Sequence, residues 1–230
     1  MSYRHVVFDL DGTLIDSRQD IADAANAMLE TYGASPLPVP AVVSMVGEGA
    51  RLLVERVVSR AGLDVEPDEA LARFVDAYDA RLANHTRPYE GVETMLADLT
   101  SAGIAVTVLT NKPHRATGAV LDAFGLRRYV REFVGGDTPH GRKPAPAGLL
   151  HLAAATGSSP AETLMVGDTW VDVDTAIAAG VDACLVSYGF GFVDVPEATR
   201  ARARFVVDAP GGVTTLAHPP APSTPHPTRG

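Results

Sequence analysis

The stretch Val6-Val7-Phe8-Asp9-Leu10-Asp11-Gly12-Thr13 decides the reading of this chain. A short apolar run ends in two aspartates one residue apart, followed by a glycine. In a strand over residues 4–10, alternate side chains share a face, so Asp9 and Asp11 would point the same way while Leu10 turns into the core. Two carboxylates held that close repel unless a cation or a shared proton relieves them. Gly12 permits a sharp turn there. An Asp-Gly turn after a strand is common in itself, so the partners further along decide.

Three later segments supply such partners. The apolar run 106–109 ends in Thr110-Asn111, the run 163–166 ends in Gly167-Asp168, and Arg142-Lys143-Pro144 lies just upstream of the helix before that second run. Each run reads as a buried parallel strand. Ligands of an open parallel sheet bind beyond the carboxyl ends of its strands, where Asp9, Asp11, Thr110 and Asp168 all fall. Asp168 and Asp172 are four apart; on a helix opening they would share a face and destabilise it by ~0.2–0.5 kcal/mol unless a cation sits there. A Gly-Asp-Thr helix opening is equally an N-cap. The chain has two lysines, Lys112 and Lys143, against seventeen arginines, a usage that points to slim point charges near the crevice. Lys112 reads either so or as a solvated loop residue. With no Cys/His cluster for zinc, oxygen ligands joined by a substrate phosphate suit magnesium.

Between the first strand and residue 85 the pattern is helical. Ile21, Ala24, Ala25, Met28 and Leu29 recur at three and four, as do Leu52, Leu53 and Val57, then Leu71, Phe74, Tyr78 and Leu82. Asp16 or Ser17 can cap the first helix and Pro67 can open another. A connection of that size is too long for an ordinary crossover and reads as a second small domain. From Gly91 helices and strands alternate up to a strand over 183–186, the signature of a doubly wound parallel sheet. The expected organisation is therefore an α/β core over residues 1–15 and 86–216, a helical insertion over 16–85, and a disordered tail over 217–230, where five prolines occur in fourteen residues.

Composition narrows the function. Apolar residues make up 46% of 230, ample for a core, and a formal charge of −9 argues against nucleic-acid and membrane-surface partners. Cys184 lies in an apolar stretch and reads as a buried structural thiol. With no signal pattern and no apolar run near eighteen residues, a soluble cytoplasmic protein is expected, monomer or homodimer. No Gly-Lys pair occurs, so there is no P-loop.

The segments FDLDGTLID, LTNKP, GRKPAP and VGDTWVD, in this order, resemble the four motifs of the haloacid dehalogenase superfamily, and closely those of its phosphoglycolate phosphatase-type members. The resemblance implies a Rossmann-like core with an α-helical cap. Asp11 is absent from the family's dehalogenases and replaced in its phosphonate-cleaving members, so its presence implies phosphate-ester hydrolysis. By the same resemblance Asp9 is the nucleophile and forms an aspartyl-phosphate. Asp11 protonates the leaving alcohol and then activates water. Thr110, Asn111 and Lys143 bind the phosphate. The resemblance further implies that Asp9 and Asp168 hold Mg2+ directly and Asp11 through its main-chain carbonyl, with Asp172 helping from the edge or through water. The segment 46–53 resembles a cap loop and helix opening, where Gly47, Gly49 and Arg51 would meet a substrate carboxylate; the glycines equally suit a loop that only joins two helices. The expected substrate is a small phosphorylated metabolite, 2-phosphoglycolate first, with inorganic pyrophosphate or a sugar phosphate as alternatives. A phosphomutase or a receiver-type signalling domain would share parts of this chemistry.

Overall fold

The structure, a computed structural model, describes residues 3–217. In chain order its elements are β1 (His5–Phe8), β2 (Ile15–Asp16), α1 (Arg18–Thr31), α2 (Val39–Val43), α3 (Ala50–Arg60), α4 (Pro67–Asp79), β3 (Arg87–Pro88) and α5 (Val92–Ser101). There follow β4 (Ala105–Leu109), α6 (His114–Ala123), β5 (Glu132–Val134), α7 (Ala147–Ala155), β6 (Thr163–Gly167) and α8 (Trp170–Ala179). The chain continues through β7 (Asp182–Val186), α9 (Glu197–Arg200), β8 (Phe205–Val207) and α10 (Pro210–Ala217).

The main sheet is wholly parallel, in the order β5-β4-β1-β6-β7-β8. The strands of its centre are buried on both faces, which is why they are mostly apolar, with Val6-Val7-Phe8 in β1 and Leu164-Met165-Val166 in β6. Val6 and Phe8 pack with α5, α6 and α10. Val7, between them, faces the other way and packs with α7 and α8. That alternation is the doubly wound architecture expected from the sequence. Helices α1 to α4 gather a separate apolar cluster around Met28, Val57 and Phe74, to which the core contributes Ala116 of α6.

The insert leaves and re-enters the core side by side. β2 and β3 form a two-stranded antiparallel piece, Ile15 opposite Pro88 and Asp16 opposite Arg87. The fully buried carboxylate of Asp20 accepts hydrogen bonds from the main-chain N–H groups of His85 (3.0 Å) and Thr86 (2.8 Å) and from the Thr86 hydroxyl (2.7 Å). The two crossing segments are thus bound to one another. Among the described residues no helix is long and apolar enough to cross a membrane.

Three sequence expectations are corrected. The first strand stops at Phe8: the Asp9 N–H still donates to Val166 O (2.8 Å), but Leu10 O then receives Thr13, Leu14 and Ile15 in a tight turn. Strand alternation therefore does not bring Asp9 and Asp11 together. The sheet does not end at β7, because β8 extends it and α10 packs on it. Ala217, assigned to the tail, is the buried last residue of α10; residues 218–230 of that tail lie outside the described residues.

His5 of β1 is buried between two threonines, with Nε2 2.8 Å from Thr107 Oγ1 and Nδ1 3.3 Å from Thr163 Oγ1. Burial disfavours the imidazolium, the charge of Arg131 adds to this, and the pKa falls to about 4. The unfolded chain takes up a proton near pH 6.5 that the folded chain refuses, so stability is lost as pH falls from about 6.5 to about 4, by up to about 3 kcal/mol. The double variant His5→Val with Thr107→Val leaves no hydroxyl newly unpaired, since Thr163 keeps its bond to Ser159 O (2.9 Å). Its Tm should decline less steeply over that window than that of the unmutated protein. Parallel declines would refute the assignment.

Candidate active site

The end of β1 carries Asp9, the end of β4 Thr110, and the end of β6 Asp168. Since β4 and β6 flank β1, these side chains meet at one edge of the sheet's centre. Glycines make the space. A Cβ on Gly12, whose φ is +87°, would lie 2.0 Å from Asp168 Oδ2, and one on Gly167 would lie 2.1 Å from Asp172 Cγ. At Gly12 the turn and the approach of the carboxylate both require glycine.

Asp9, Asp168 and Asp172 are buried, and each offers one oxygen within 4.8 Å of the others. Lys143, also buried, lies among them, its Nζ 2.9 Å from Asp9 Oδ1 and 2.6 Å from Asp172 Oδ1. Asp172 Oδ2 accepts the Thr169 N–H (3.0 Å) and hydroxyl (2.6 Å), completing a capping box on α8. Asp168 Oδ2 accepts the Gly191 N–H at 2.7 Å. Asp168 precedes the N-cap Thr169, so it does not share a helix face with Asp172 as the spacing suggested. The loop after β6 brings it to the same place.

One lysine does not neutralise three carboxylates. Burial first, then the Asp172 charge, pushes Asp9 up to about 6 against the pull of Lys143 and the Leu10 N–H. Burial and the charges of Asp9 and Asp172 push Asp168 well above the carboxylate range. Burial alone would drive Lys143 toward its neutral form, but Asp172 and Asp9 outweigh it and raise its pKa. A buried set of hard oxygen donors carrying excess negative charge fits a divalent cation such as magnesium.

Asp11 has a different setting. Ser17 Oγ donates to its Oδ1 at 2.6 Å, and Lys112 Nζ lies 2.9 and 3.0 Å from its two oxygens. Lys112 is not solvated: it is buried, with Nζ 4.4 Å from the ring centroid of Tyr78 on α4. Ser17 is the N-cap residue of α1, yet its hydroxyl serves Asp11 instead of the helix. Its position before a helical run marked a cap in the sequence, and nothing local marked the aspartate as its partner. Tyr78 was legible only as an apolar position of α4.

Thr110 Oγ1 accepts the Lys112 N–H at 3.2 Å. The Asn111 amide is committed to main chain: Nδ2 donates to Gly47 O (3.0 Å) and Lys143 O (3.1 Å), and Oδ1 accepts the Lys143 N–H (2.8 Å). Asn111 thereby sets the segment carrying Lys143 and fastens the insert's loop to the core.

Between insert and core lies a cavity of about 450 Å3, with Asp9, Asp11 and Thr110 on its floor side and Gly47, Leu53 and Phe74 on the insert side. Gly47 (φ +127°) and Gly49 (φ +95°, the N-cap of α3) adopt backbone open to glycine, and a Cβ on Gly49 would meet Asn111 O at 3.3 Å. The glycines thus do more than join helices: they let the loop lie on the core. Arg51 lines the same cavity, but its Nη2 is 2.6 Å from Asp68 Oδ1 in an exposed ion pair. His114 stacks on Phe133 (4.3 Å), His140 on His151 (3.8 Å), and Trp170 packs with the α7–α8 core. None of these three lines the cavity. Phe190, which follows β7, does line it and was not anticipated.

Known proteins are similar to this chain along most of its length. A phosphoglycolate phosphatase of Psychrobacter arcticus is 39% identical over 199 residues, covering 84% of this chain and 86% of its own. One of Caulobacter vibrioides is 37% identical over 226 residues, covering 95% and 94%. The crystal structure of a Haemophilus somnus protein described as a predicted phosphoglycolate phosphatase aligns with a TM-score of 0.88 at 28% identity, over 95% of this chain and 99% of that one. The family model for haloacid dehalogenase-like hydrolases matches residues 6–186, and the chain belongs to that family.

Proposed function

We propose that this protein is a magnesium-dependent phosphatase that hydrolyses 2-phosphoglycolate through a phosphoryl group carried on Asp9. The observation that carries this reading is the separation of two aspartates, two residues apart, into different settings: Asp9 among buried carboxylates on Lys143, Asp11 on Ser17 and Lys112 beside the cavity. Two carboxyl groups whose surroundings differ in this way suit a nucleophile and a proton carrier.

Lys143 and the Leu10 N–H (2.7 Å) both engage Asp9 Oδ1 and fix the orientation of the carboxylate. Asp9 attacks phosphorus, the phosphorus–oxygen ester bond breaks, and Asp11 gives its proton to the departing glycolate oxygen. Asp11 then takes a proton from the attacking water while the bond between phosphorus and Asp9 breaks, releasing inorganic phosphate. Asp9, Asp168, Asp172 and the Asp11 main-chain carbonyl would hold magnesium, which when bound offsets the charge between the phosphate and its nucleophile. Thr110 and Lys143 complete the phosphate site, with Asn111 holding Lys143 in place. The helical insert acts as a cap that excludes water from the cavity. The substrate is supported by the named relatives, which match along most of both chains.

Exhaustive chelation should abolish release of phosphate from 2-phosphoglycolate, and magnesium should restore it. Gly12→Ala, which forces a methyl group against Asp168, should weaken magnesium activation by at least about tenfold while the protein stays folded. Turnover that survives chelation would refute the metal assignment. Faster release from pyrophosphate or a sugar phosphate, in a panel of phosphate esters, would replace the substrate.

Asp9→Asn should abolish turnover of every ester. Asp11→Asn should lower turnover of alkyl esters by about 10²–10⁴, yet with an aryl phosphate, whose leaving group needs no proton, it should give a burst of phosphoenzyme followed by slow release. Equal bursts in the two variants would refute the division of roles.

A further inference from the structure

Four cationic side chains line the cavity: Arg51, Lys112, Arg115 and Arg142. Three already have a carboxylate, since Arg51 pairs with Asp68, Lys112 with Asp11, and Arg115 with Asp79. Among the described residues Arg142 has no acidic partner, and its one polar contact is Nη1 to Glu48 O at 3.5 Å, the outer edge of hydrogen-bond range. The side chain is nonetheless seated. A Cβ on Gly136 would come within 3.0 Å of Arg142 Cγ, and one on Gly49 within 3.1 Å of Nη1. Two glycines, one from the core and one from the insert, leave the groove in which it runs.

Its place in the chain matters as much. Arg142 immediately precedes Lys143, whose N–H is fixed by Asn111 Oδ1 at 2.8 Å and whose Nζ reaches Asp9. Lys143 serves the reacting end of the cavity, and Arg142 faces the insert's loop. An arginine on this segment keeps a set distance from the phosphorylated carboxylate however the insert moves. Its planar fork of donors matches a carboxylate with two parallel hydrogen bonds.

We propose that Arg142, from the core side, is the residue that reads the substrate's carboxylate; this rests on the reading of 2-phosphoglycolate as substrate. Arg51, which the sequence put forward for that task, stays bound to Asp68. An ester of the same length without the carboxylate, such as ethyl phosphate, binds the phosphate site but leaves the Arg142 fork unused.

The test compares kcat/KM for 2-phosphoglycolate and ethyl phosphate in the unmutated enzyme and in Arg142→Met, Arg142→Lys and Arg51→Met. Arg142→Met should lower the ratio of the two by about ten- to a hundredfold, the worth of a hydrogen bond to a charged group. Most of the change should appear in KM for 2-phosphoglycolate. Arg142→Lys keeps the charge without the fork and should retain an intermediate ratio, and Arg51→Met should keep the full one. A ratio that survives Arg142→Met, or a parallel fall for both esters, overturns the role of Arg142 and leaves the substrate standing. An unmutated enzyme that treats both esters alike overturns the substrate reading, and this inference with it.

Discussion

The ammonium of Lys143, buried between Asp9 and Asp172, is the interaction on which the rest of the site depends. Buried charges are costly unless each is paired and hydrogen-bonded, and here every partner is fixed by a separate part of the fold. Asp9 follows the strand paired on both sides, Asp172 is held by the capping box of α8, and Lys143 is set by the Asn111 amide. Moving any of these would leave a buried charge without its counter-charge. The glycines follow from the same constraint, because Gly12, Gly167 and Gly189 stand where a Cβ would strike Asp168 or Asp172.

The second buried lysine extends the arrangement to the insert. Lys112 holds Asp11 on one side and lies over Tyr78 of α4 on the other. Asn111 joins the insert's loop through Gly47, and Ala116 of α6 is buried in the insert's own cluster. The face of the core that carries the chemistry is thus the face the insert packs on. The buried carboxylate of Asp20 binds the returning segment at Thr86, so the two crossings are tied where the insert meets the core. Placement of the proposed proton carrier and seating of the insert are therefore mechanically linked through Lys112 and Ser17.

How much of this was legible follows from the range of each interaction. The central strands and the three longer helices of the insert, α1, α3 and α4, were readable because their signals, apolar runs and recurrence at three and four, are local; α2, five residues long, is too short to show such recurrence. Asp9, Thr110 and Asp168 were readable because strand ends of a parallel sheet converge, and Lys143 because it is one of only two lysines and stands in the Arg142-Lys143-Pro144 segment. The setting of Asp11 was not: its partner Lys112 is 101 residues away, and strand alternation pointed instead toward Asp9. Ser17 and Tyr78 satisfied simpler readings, a cap and a core position, that gave no reason to look further. β8 was missed because it is three residues long and only partly buried, and so lacks the apolar run that marks the centre of the sheet.

The uneven use of lysine and arginine in this chain has a physical reason once the site is in view. An ammonium is compact, and its three donors let Lys143 approach two carboxylates at 2.9 and 2.6 Å in a pocket closed to solvent. A guanidinium is broader and planar, and its fork needs one carboxylate or several carbonyls laid out in its plane. Arginines accordingly pair with carboxylates at the surface, as Arg202 does with Asp174 and Arg51 with Asp68, where solvent screens each pair. Lysine thus occupies the two buried cationic positions at the site, Lys143 between two acids and Lys112 between Asp11 and the ring of Tyr78. Arg142, an exposed arginine at the cavity wall with no acidic partner among the described residues, stands where a fork can meet a carboxylate that arrives with the substrate.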